Sequence, residues 1–233
     1  MHLPEFKMDE DGFRVAPAAR PVAGYVGGKK QLARQLSERI EATPHDLYAE
    51  VFAGMAGVFF RRRLAPKVEV LNDISRDVIT FFRVLQNHYQ ALMDMLRWQL
   101  SSRAEFERLV GLDPDRLTDL QRAARFLYLQ KLAFGGKVAG RTFGIDRRAG
   151  GRFNALQLAE TLQEAHERLA GVWLECLPWD VFLDRWDRAG ALFYLDPPYS
   201  ERSTTMGATS FRASSSRYWR LGSSGSPVGS SCR

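Results

Sequence analysis

The sequence predicts an α/β protein built on a parallel, Rossmann-like sheet. Short apolar runs, which are typical of buried strands, alternate along residues 46–195 with longer stretches of helical periodicity. Such alternation indicates a parallel sheet covered by helices. A glycine-rich turn follows the first of these strands, and an acidic residue follows the second. This combination favours a site for a nucleoside-type cofactor.

Each predicted element follows from its own pattern. Leu32, Leu36 and Ile40 form the apolar stripe of a helix over residues 29–42. The other helices are predicted from similar stripes, and the strands from short apolar runs. The predicted strands are residues 46–52, 68–71, 172–177 and 191–195, and the predicted helices are residues 76–99, 117–134, 155–169 and 179–186.

Composition narrows the class of protein. The 233 residues are 45% hydrophobic and 26% charged, with a formal net charge of +6. These values are typical of a globular chain and exclude collagen-like, coiled-coil and disordered proteins. Because no apolar run is long enough to span a membrane and the acidic N-terminus lacks a signal-peptide core, we expect a cytoplasmic protein. Two cysteines, Cys176 and Cys232, make neither a disulfide framework nor a metal cluster.

The glycine-rich turn is Phe52-Ala53-Gly54-Met55-Ala56-Gly57, called the glycine loop below. Glycines permit a tight turn and let a ligand approach the backbone. Glu50 ends the preceding strand, and Asp73 follows the next strand, at a position where an acid can bind ribose hydroxyls. Small residues at a helix start can also serve packing alone, so the loop by itself leaves both interpretations open.

A second motif, Asp196-Pro197-Pro198-Tyr199, follows the predicted strand at residues 191–195. A side chain at this end of a parallel strand faces the crevice where ligands bind. The Asp196 carboxylate and the Pro197 carbonyl can together accept both hydrogens of an exocyclic amine. Tyr199 offers an aromatic face on which a flipped base can stack. The alternative interpretation is a turn that ends a strand with its aspartate in solvent.

In this order, the motifs resemble those of the adenine-specific DNA methyltransferases of the Dam type. The resemblance spans roughly residues 20–199. The matching segments are Tyr25-Val26-Gly27-Gly28-Lys29, residues 48–57 with the glycine loop, Asn72-Asp73, Leu177-Pro178-Trp179-Asp180, and residues 193–199 with the Asp-Pro-Pro-Tyr motif. Val51 departs from the pattern, because the family usually has proline there.

The resemblance implies a direct transfer of a methyl group from S-adenosyl-L-methionine to the 6-amino group of adenine in double-stranded DNA, without a metal. It implies that the catalytic residues are Asp196, Pro197, Pro198 and Tyr199. It implies that the cofactor-binding residues are Tyr25, Gly28, Lys29, Glu50, Phe52, Gly54, Gly57, Asp73, Trp179 and Asp196. A restriction-modification system with a cognate restriction endonuclease, or a phage-like element, is the implied setting.

The resemblance also divides the chain. Residues 21–87 and 165–199 become the cofactor-binding and catalytic parts of a methyltransferase domain, residues 1–20 an N-terminal extension, and residues 88–164 an inserted, mainly helical target-recognition region. Phosphate contacts are expected from the basic residues of this insert. These are Lys137, Arg141, Arg147, Arg148 and Arg152. The alternative is a solvated basic loop.

Residues 200–233 differ from the rest of the chain. They hold eleven of the fifteen serines and a net charge of +4, whereas residues 1–199 carry +2. We therefore expect an aberrant or disordered tail, with the C-terminal strands of the sheet missing and the strand at 191–195 unpaired on one side. A truncation or a change of reading frame near Tyr199–Ser203 would explain this. Regrouped codons of residues 204–211 permit Asp-Tyr-Gly-x-Asp-Leu-Phe, which is similar to the segment that follows the motif in the family.

Three functions remain open. The first is adenine-specific DNA methylation, and the second is a catalytically inactive remnant that binds cofactor or DNA. The third is methylation of RNA or of a protein amide, because related tetrapeptides act on amide nitrogens. Aspartate at the first position of the motif, together with the long insert, favours DNA over the third function.

Overall fold

The computed structural model describes residues 10, 12–17, 19–25, 32–145, 148, 150–197, 217–221 and 227–230. The strands in these ranges are β1 (Arg14–Val15), β2 (Leu47–Glu50), β3 (Leu64–Ala65), β4 (Val68–Asn72), β5 (Trp173–Glu175), β6 (Ala191–Leu195), β7 (Arg217–Leu221) and β8 (Pro227–Ser230). The helices are α1 (Ala33–Glu41), α2 (Arg76–Asn87), α3 (Tyr89–Leu96), α4 (Arg103–Val110), α5 (Asp119–Leu132), α6 (Ala155–Arg168) and α7 (Trp179–Trp186). None of these helices has the length and apolar character needed to cross a membrane.

Six strands form the central sheet, in the order β5-β4-β2-β6-β7-β8. The first five are parallel and β8 is antiparallel to β7. In the register, Leu47 of β2 lies opposite Val68 on β4 and Ala191 on β6. The predicted parallel, Rossmann-like sheet is confirmed. The chain leaves β2 in one direction for β4 and later returns to its other side with β6, and such a reversal opens a crevice at the carboxyl ends of the strands.

Strands β2 and β6 are buried on both faces, which explains why every residue of β6 and every residue of β2 before Glu50 is apolar or aromatic. Alternate residues of β6 point to opposite faces, as strand geometry requires. Phe193 packs in the cluster that contains Phe182 of α7, whereas Leu192 packs with Leu36 and Ile40 of α1. This two-sided burial fixes the positions of the strand ends.

The helical region departs from the prediction in two places. The helix predicted at residues 76–99 breaks at His88, whose backbone (φ −133°, ψ 36°) is not helical. Helix α4 was not predicted from the sequence. It begins at Ser102, whose hydroxyl accepts a hydrogen bond from the Glu105 N–H and so caps the helix. Both α2 and α3 pack on α5, and periodicity alone does not reveal a break that depends on such tertiary packing.

The helices of residues 88–164 share one hydrophobic cluster with residues of α2, β4 and the glycine loop. The ring of Phe81 on α2 lies 5.7 Å from that of Phe126 on α5, and Phe60 beside the glycine loop packs on Phe82. The mainly helical character predicted for the insert is confirmed. The helices of residues 88–164 therefore have a core that is continuous with that of the sheet side.

A buried ion cluster joins helix α6 to the sheet. Arg168 donates two hydrogen bonds of 2.7 Å to Glu69 of β4, and Arg62 donates one of 2.9 Å. Burial alone would raise the pKa of Glu69, but Arg168 and Arg62 lower it overall. The two guanidiniums lie 3.8 Å from the ring centres of Phe59 and Tyr48, respectively. Removing one partner of such a buried group leaves an uncompensated charge, so the cluster fixes α6 on the sheet.

The expectation that β6 is unpaired on one side is wrong. Strand β7 pairs with β6 in parallel, with Leu192 opposite Arg217, and β8 continues the sheet. Residues 217–221 contain Tyr218 and Trp219, which favour strands in spite of the serine-rich surroundings. The backbone N–H and C=O groups along this edge of β6 need hydrogen-bond partners, and β7 provides them. The composition of residues 200–233 therefore concealed two strands.

Candidate active site

Three acidic residues meet where the carboxyl ends of the parallel strands open. Glu50 ends β2, Asp73 follows β4, and Asp196 follows β6. All three line one cleft of about 1060 Å³. The cleft lies at the reversal of strand order, where ligands of open α/β sheets bind. The structure thus brings together the acids that the sequence placed at separate strand ends.

The glycine loop forms part of the cleft wall, with Phe52 and Gly57 among the lining residues. Gly54 has a φ of +51°, and a Cβ atom added there would lie 3.0 Å from the ring of Tyr25. Ala56 also has a positive φ of 52°, although it is not a glycine, and it is fully buried. A left-handed alanine stores strain that the surrounding packing must hold. The loop is therefore tightly turned and covered by Tyr25.

Asp73 fastens the glycine loop to the end of β4. Its Oδ2 accepts a hydrogen bond of 2.8 Å from the Gly54 N–H, and its Oδ1 accepts one of 2.8 Å from the Ser75 N–H. Burial raises the pKa of Asp73, while these two N–H donors oppose the rise. Each carboxylate oxygen can accept a further bond. The residue predicted to bind a ribose therefore also positions the loop.

Glu50 is a buried carboxyl group, and one of its two oxygens accepts hydrogen bonds from the protein. Its Oε1 accepts hydrogen bonds from the Tyr48 hydroxyl (3.0 Å) and the Phe59 N–H (2.7 Å). Its Oε2 receives no hydrogen bond from the described residues, and the side chain lines the cleft. Burial raises the pKa of Glu50 to about 7, and the nearby charge of Asp196 also acts upward. Its protonation therefore changes near neutral pH.

Asn72 ties three segments together beside the cleft. Its Nδ2 donates to the carbonyls of Val51 (3.0 Å) and Leu177 (3.1 Å), and its Oδ1 accepts from the Leu177 N–H (2.9 Å). The motif Asn72-Asp73 drew attention to this residue in the sequence without indicating a role for it. The structure gives it one: it holds the ends of β2 and β4 to the segment before α7.

The opposite side of the cleft depends on Gln130, which the sequence did not single out. Its Nε2 donates to the carbonyls of Gly24 (2.8 Å) and Gly136 (2.7 Å). A Cβ atom added to Gly136 would lie 3.1 Å from the Gly24 carbonyl carbon. Gly24 of the N-terminal segment is thus held against residues 135–144, called the Gly-rich loop below and distinct from the glycine loop. Residues 137–140 of this loop line the cleft. A glutamine within a helical pattern gives no signal of such a role.

Two cations of the cleft were also missed. Arg61 lines it and donates from Nη1 to the Gly57 carbonyl at 2.6 Å. Lys131 of α5 lines it too, and its Nζ lies 3.5 Å from the Val22 carbonyl. Burial lowers the pKa of Lys131. The cleft therefore presents both carboxylates and cations to a ligand.

The residues predicted to contact DNA lie in different surroundings. Lys137 is exposed and lines the cleft, whereas Arg148 and Arg152 are exposed outside it. Arg141 is half-buried. Its Nε donates to the Lys137 carbonyl at 3.3 Å, and its guanidinium lies 5.8 Å from the ring centre of Phe126. These contacts give Arg141 a structural task that the sequence did not indicate.

Trp179 and Pro197 have different positions relative to the cleft. Trp179 does not line it; this half-buried side chain packs on the hydrophobic cluster between α7 and the sheet. Pro197 lines the cleft beside Asp196. Five other predicted residues lie outside the described part of the chain, namely Gly28, Lys29, Arg147, Pro198 and Tyr199.

Comparison with known proteins adds two findings. A family model described as D12 class N6 adenine-specific DNA methyltransferase matches residues 25–218. The chain is also 25% identical over 201 residues to the Type II methyltransferase M1.LlaDCHI of Lactococcus lactis subsp. cremoris, a similarity that covers 82% of this chain and 70% of that relative. The family match begins at Tyr25 and includes Glu50, Asp73 and Asp196.

Proposed function

Because this chain belongs to the D12 class of N6 adenine-specific DNA methyltransferases, we propose that its cleft binds S-adenosyl-L-methionine and presents a target adenine to Asp196 and Pro197. Members of this class methylate the 6-amino group of adenine in DNA. The observation that supports the assignment of the site is the meeting of Glu50, Asp73 and Asp196 in one cleft where the strand order reverses.

The residues of the cleft fit the cofactor in size and charge. A cleft of about 1060 Å³ can hold a ligand of this size. The cofactor carries an ammonium, a carboxylate and ribose hydroxyls. Glu50 Oε2 can accept a hydrogen bond from the ammonium, and Asp73 can accept from the hydroxyls. Arg61 provides a cation for the carboxylate. When bound, the cofactor supplies an electrophilic methyl group on a sulfonium.

Asp196 and Pro197 act on the amine. The lone pair of an adenine 6-amino group is delocalised into the ring and is a weak nucleophile. When the Asp196 carboxylate and the Pro197 carbonyl accept its two hydrogens, the lone pair is directed toward the methyl carbon. The new N–C bond forms as the C–S bond breaks, and the electron pair of that bond goes to sulfur. The surplus proton then leaves the nitrogen to the Asp196 carboxylate and on to water.

Positioning supplies much of the rate in this scheme. Holding an amine and a methyl group in line, close to their distance of attack, replaces a bimolecular encounter with a step inside one complex. The buried strand ends and the fastened glycine loop are suited to this task. A metal is not needed for the proton or for the leaving group, which departs as a neutral thioether.

Product analysis tests this function. The purified chain is incubated with methyl-labelled S-adenosyl-L-methionine and unmethylated bacterial DNA, and the DNA is digested to nucleosides. We expect the label in N6-methyl-2′-deoxyadenosine. Label in cytosine, or label only when RNA or protein replaces DNA, would contradict the proposal. Cofactor binding without any transfer would instead indicate an inactive remnant.

A restriction endonuclease is the partner that we propose for this activity. The support is the relationship to a protein named as a Type II methyltransferase, because such enzymes protect DNA from a cognate nuclease. DNA methylated by this chain should resist a nuclease from the same source while untreated DNA is cut. Cleavage of both DNAs by every such nuclease would contradict the proposed partner but not the proposed methylation activity.

A further inference from the structure

A second pocket, of about 340 Å³, lies between α5 and the start of α6. Its basic lining residues are Arg20, Lys131 and Arg152, and its acidic one is Glu160. Asn154, Gln157 and Thr161 add polar groups, with Leu158 as the apolar member. We call it the basic pocket. Nothing in the sequence pattern singled out Arg20 or Lys131 for a binding role.

Two cations of the basic pocket have no acidic partner among the described residues. Arg20 lies 3.6 Å from Glu164 and is partly neutralised. The Lys131 ammonium has only a carbonyl contact, at 3.5 Å to Val22, and Arg152 forms neither an ion pair nor a hydrogen bond within the described part of the chain. Burial lowers the pKa of Lys131, and the charge of Arg152 lowers it further. Two neighbouring cations in a concave site that repel each other are stabilised by an anion.

The side chains, rather than the start of helix α6, provide the attraction. Asn154 Oδ1 already accepts hydrogen bonds from the Leu156 N–H (3.0 Å) and the Gln157 N–H (3.3 Å). These backbone donors are therefore satisfied within the helix cap. Glu160 offsets one of the two unpaired cations, Lys131 and Arg152, and leaves one positive charge in excess. A group with a single negative charge fits this balance.

The basic pocket adjoins the cleft. Lys131 lines both cavities, so an anion in the pocket lies one side chain away from a ligand in the cleft. DNA is a partner with singly charged phosphates at regular spacing next to every base. We propose that the basic pocket binds a backbone phosphate of the strand whose adenine enters the cleft. This inference rests on the proposed function and adds a specific phosphate contact to it.

Salt dependence of DNA binding tests the proposal. The affinity of the full chain for a short fluorescent duplex is measured over a range of salt concentrations, for wild type, Arg152→Gln, Arg152→Lys and the double variant Lys131→Gln/Arg152→Gln. A lost phosphate contact reduces the slope of log K against log salt by about 0.9. Because both cations serve one phosphate, we expect the double variant to lose about 0.9 in total and not about twice that amount. Arg152→Lys keeps the charge and should retain the wild-type slope.

Arg39→Gln is the matched control. Arg39 is an exposed arginine on α1 that lines neither cavity, so its loss should leave the slope unchanged. Thermal melting checks that each variant is folded, and binding of S-adenosyl-L-homocysteine adds a second check for the single Arg152 and Arg39 variants, whose residues do not line the cleft. Wild-type slopes for Arg152→Gln and the double variant would overturn the proposed phosphate site without contradicting the proposed methylation activity. A loss of affinity confined to an RNA duplex of the same sequence would also overturn it. Absence of DNA binding by the wild type would instead contradict the proposed function.

Discussion

The two sides of the cleft are built differently. The sheet-side wall consists of Glu50, the glycine loop, Asp73 and Asp196, and its acids sit at the ends of buried strands. Glu50 is 1% exposed and Asp73 is 9% exposed. The loop-side wall consists of residues 137–140, which follow an exposed turn in which Phe134 is 61% exposed. One wall is fixed by the core, and the other by a few hydrogen bonds.

The difference separates two tasks. Chemistry needs groups held to fractions of an ångström, and strand ends with satisfied backbone donors provide that. Recognition of a large partner needs accessible groups, and exposed loops provide them. Gln130 connects the two, because it fixes the Gly-rich loop from inside the core. We therefore expect changes in the sheet-side wall to affect cofactor binding and rate, and changes in the loop-side wall to affect DNA binding.

The largest effect is expected for Asp196→Ala. Without the carboxylate, the amine is neither oriented nor relieved of its proton, and the rate of transfer should fall by about a thousandfold. Single-turnover transfer of labelled methyl groups measures this. Asp184→Ala, which removes an exposed acid on α7 outside the cleft, is the control and should retain full activity. If Asp196→Ala still transfers at the wild-type rate, the assigned role is wrong.

Two glycine substitutions compare the walls directly. Gly54 (φ +51°) and Gly140 (φ +57°) share a left-handed backbone, but an added Cβ atom meets Tyr25 at 3.0 Å only at Gly54 and finds open space at Gly140. Gly54→Ala should therefore weaken cofactor binding by about ten- to a hundredfold, since strain of about 1–3 kcal/mol must be relieved by moving the loop.

Isothermal titration with S-adenosyl-L-homocysteine measures both variants. Gly140→Ala bears the same backbone strain without the clash and lies on the loop-side wall, so its cofactor affinity should stay near that of the wild type. Equal losses in the two variants would mean that backbone strain anywhere around the cleft matters, and the proposed division between walls would fail.

A moderate effect of pH is expected from Glu50. Burial raises its pKa to about 7, so the carboxylate that accepts from the cofactor ammonium is lost as the pH falls. Cofactor affinity should drop by about tenfold between about pH 8 and pH 6, and Glu50→Gln should bind weakly with little pH dependence. Since the folded-state pKa lies above the unfolded value of 4.5, the free energy of unfolding should fall as the pH rises from about 4.5 to about 7. A pH-independent wild type would refute this role.

The smallest effect is expected for Lys137→Gln on the loop-side wall. This exposed lysine lines the cleft mouth, and loss of one phosphate contact should weaken DNA binding only severalfold at moderate salt, roughly 0.5–1 kcal/mol. Fluorescence anisotropy with a labelled duplex measures it, and cofactor affinity serves as the internal control. If Lys137→Gln lowers the affinity for the cofactor more than the affinity for DNA, the role of Lys137 in DNA binding is wrong.

The sequence predicted the sheet-side wall well for a physical reason. Strand ends are readable from short apolar runs, and parallel strands bring their carboxyl ends to one edge, so the amino-acid pattern alone is enough to group Glu50, Asp73 and Asp196. The break at His88 and the pairing of β7 with β6 depend on tertiary contacts that local patterns do not contain.

The loop-side wall was harder to predict, because its key contacts join distant residues. Gln130 bonds to Gly24, 106 residues away, and Lys131 serves two cavities through its place on α5. Both residues look like ordinary helix-surface side chains in the sequence. The basic residues of the sequence pointed to Arg141 as a DNA contact, although the structure packs this residue against Phe126. They gave no reason to assign a binding role to Lys131.

A crystal structure with S-adenosyl-L-homocysteine tests the account most directly. We predict that the ligand lies in the cleft, with its ammonium within hydrogen-bond distance of Glu50 Oε2 and its ribose hydroxyls within reach of Asp73, beneath the ring of Tyr25. Electron density for the ligand outside the cleft, or inside it with both carboxylates turned toward solvent, would contradict the assignment of the sheet-side wall as the cofactor site.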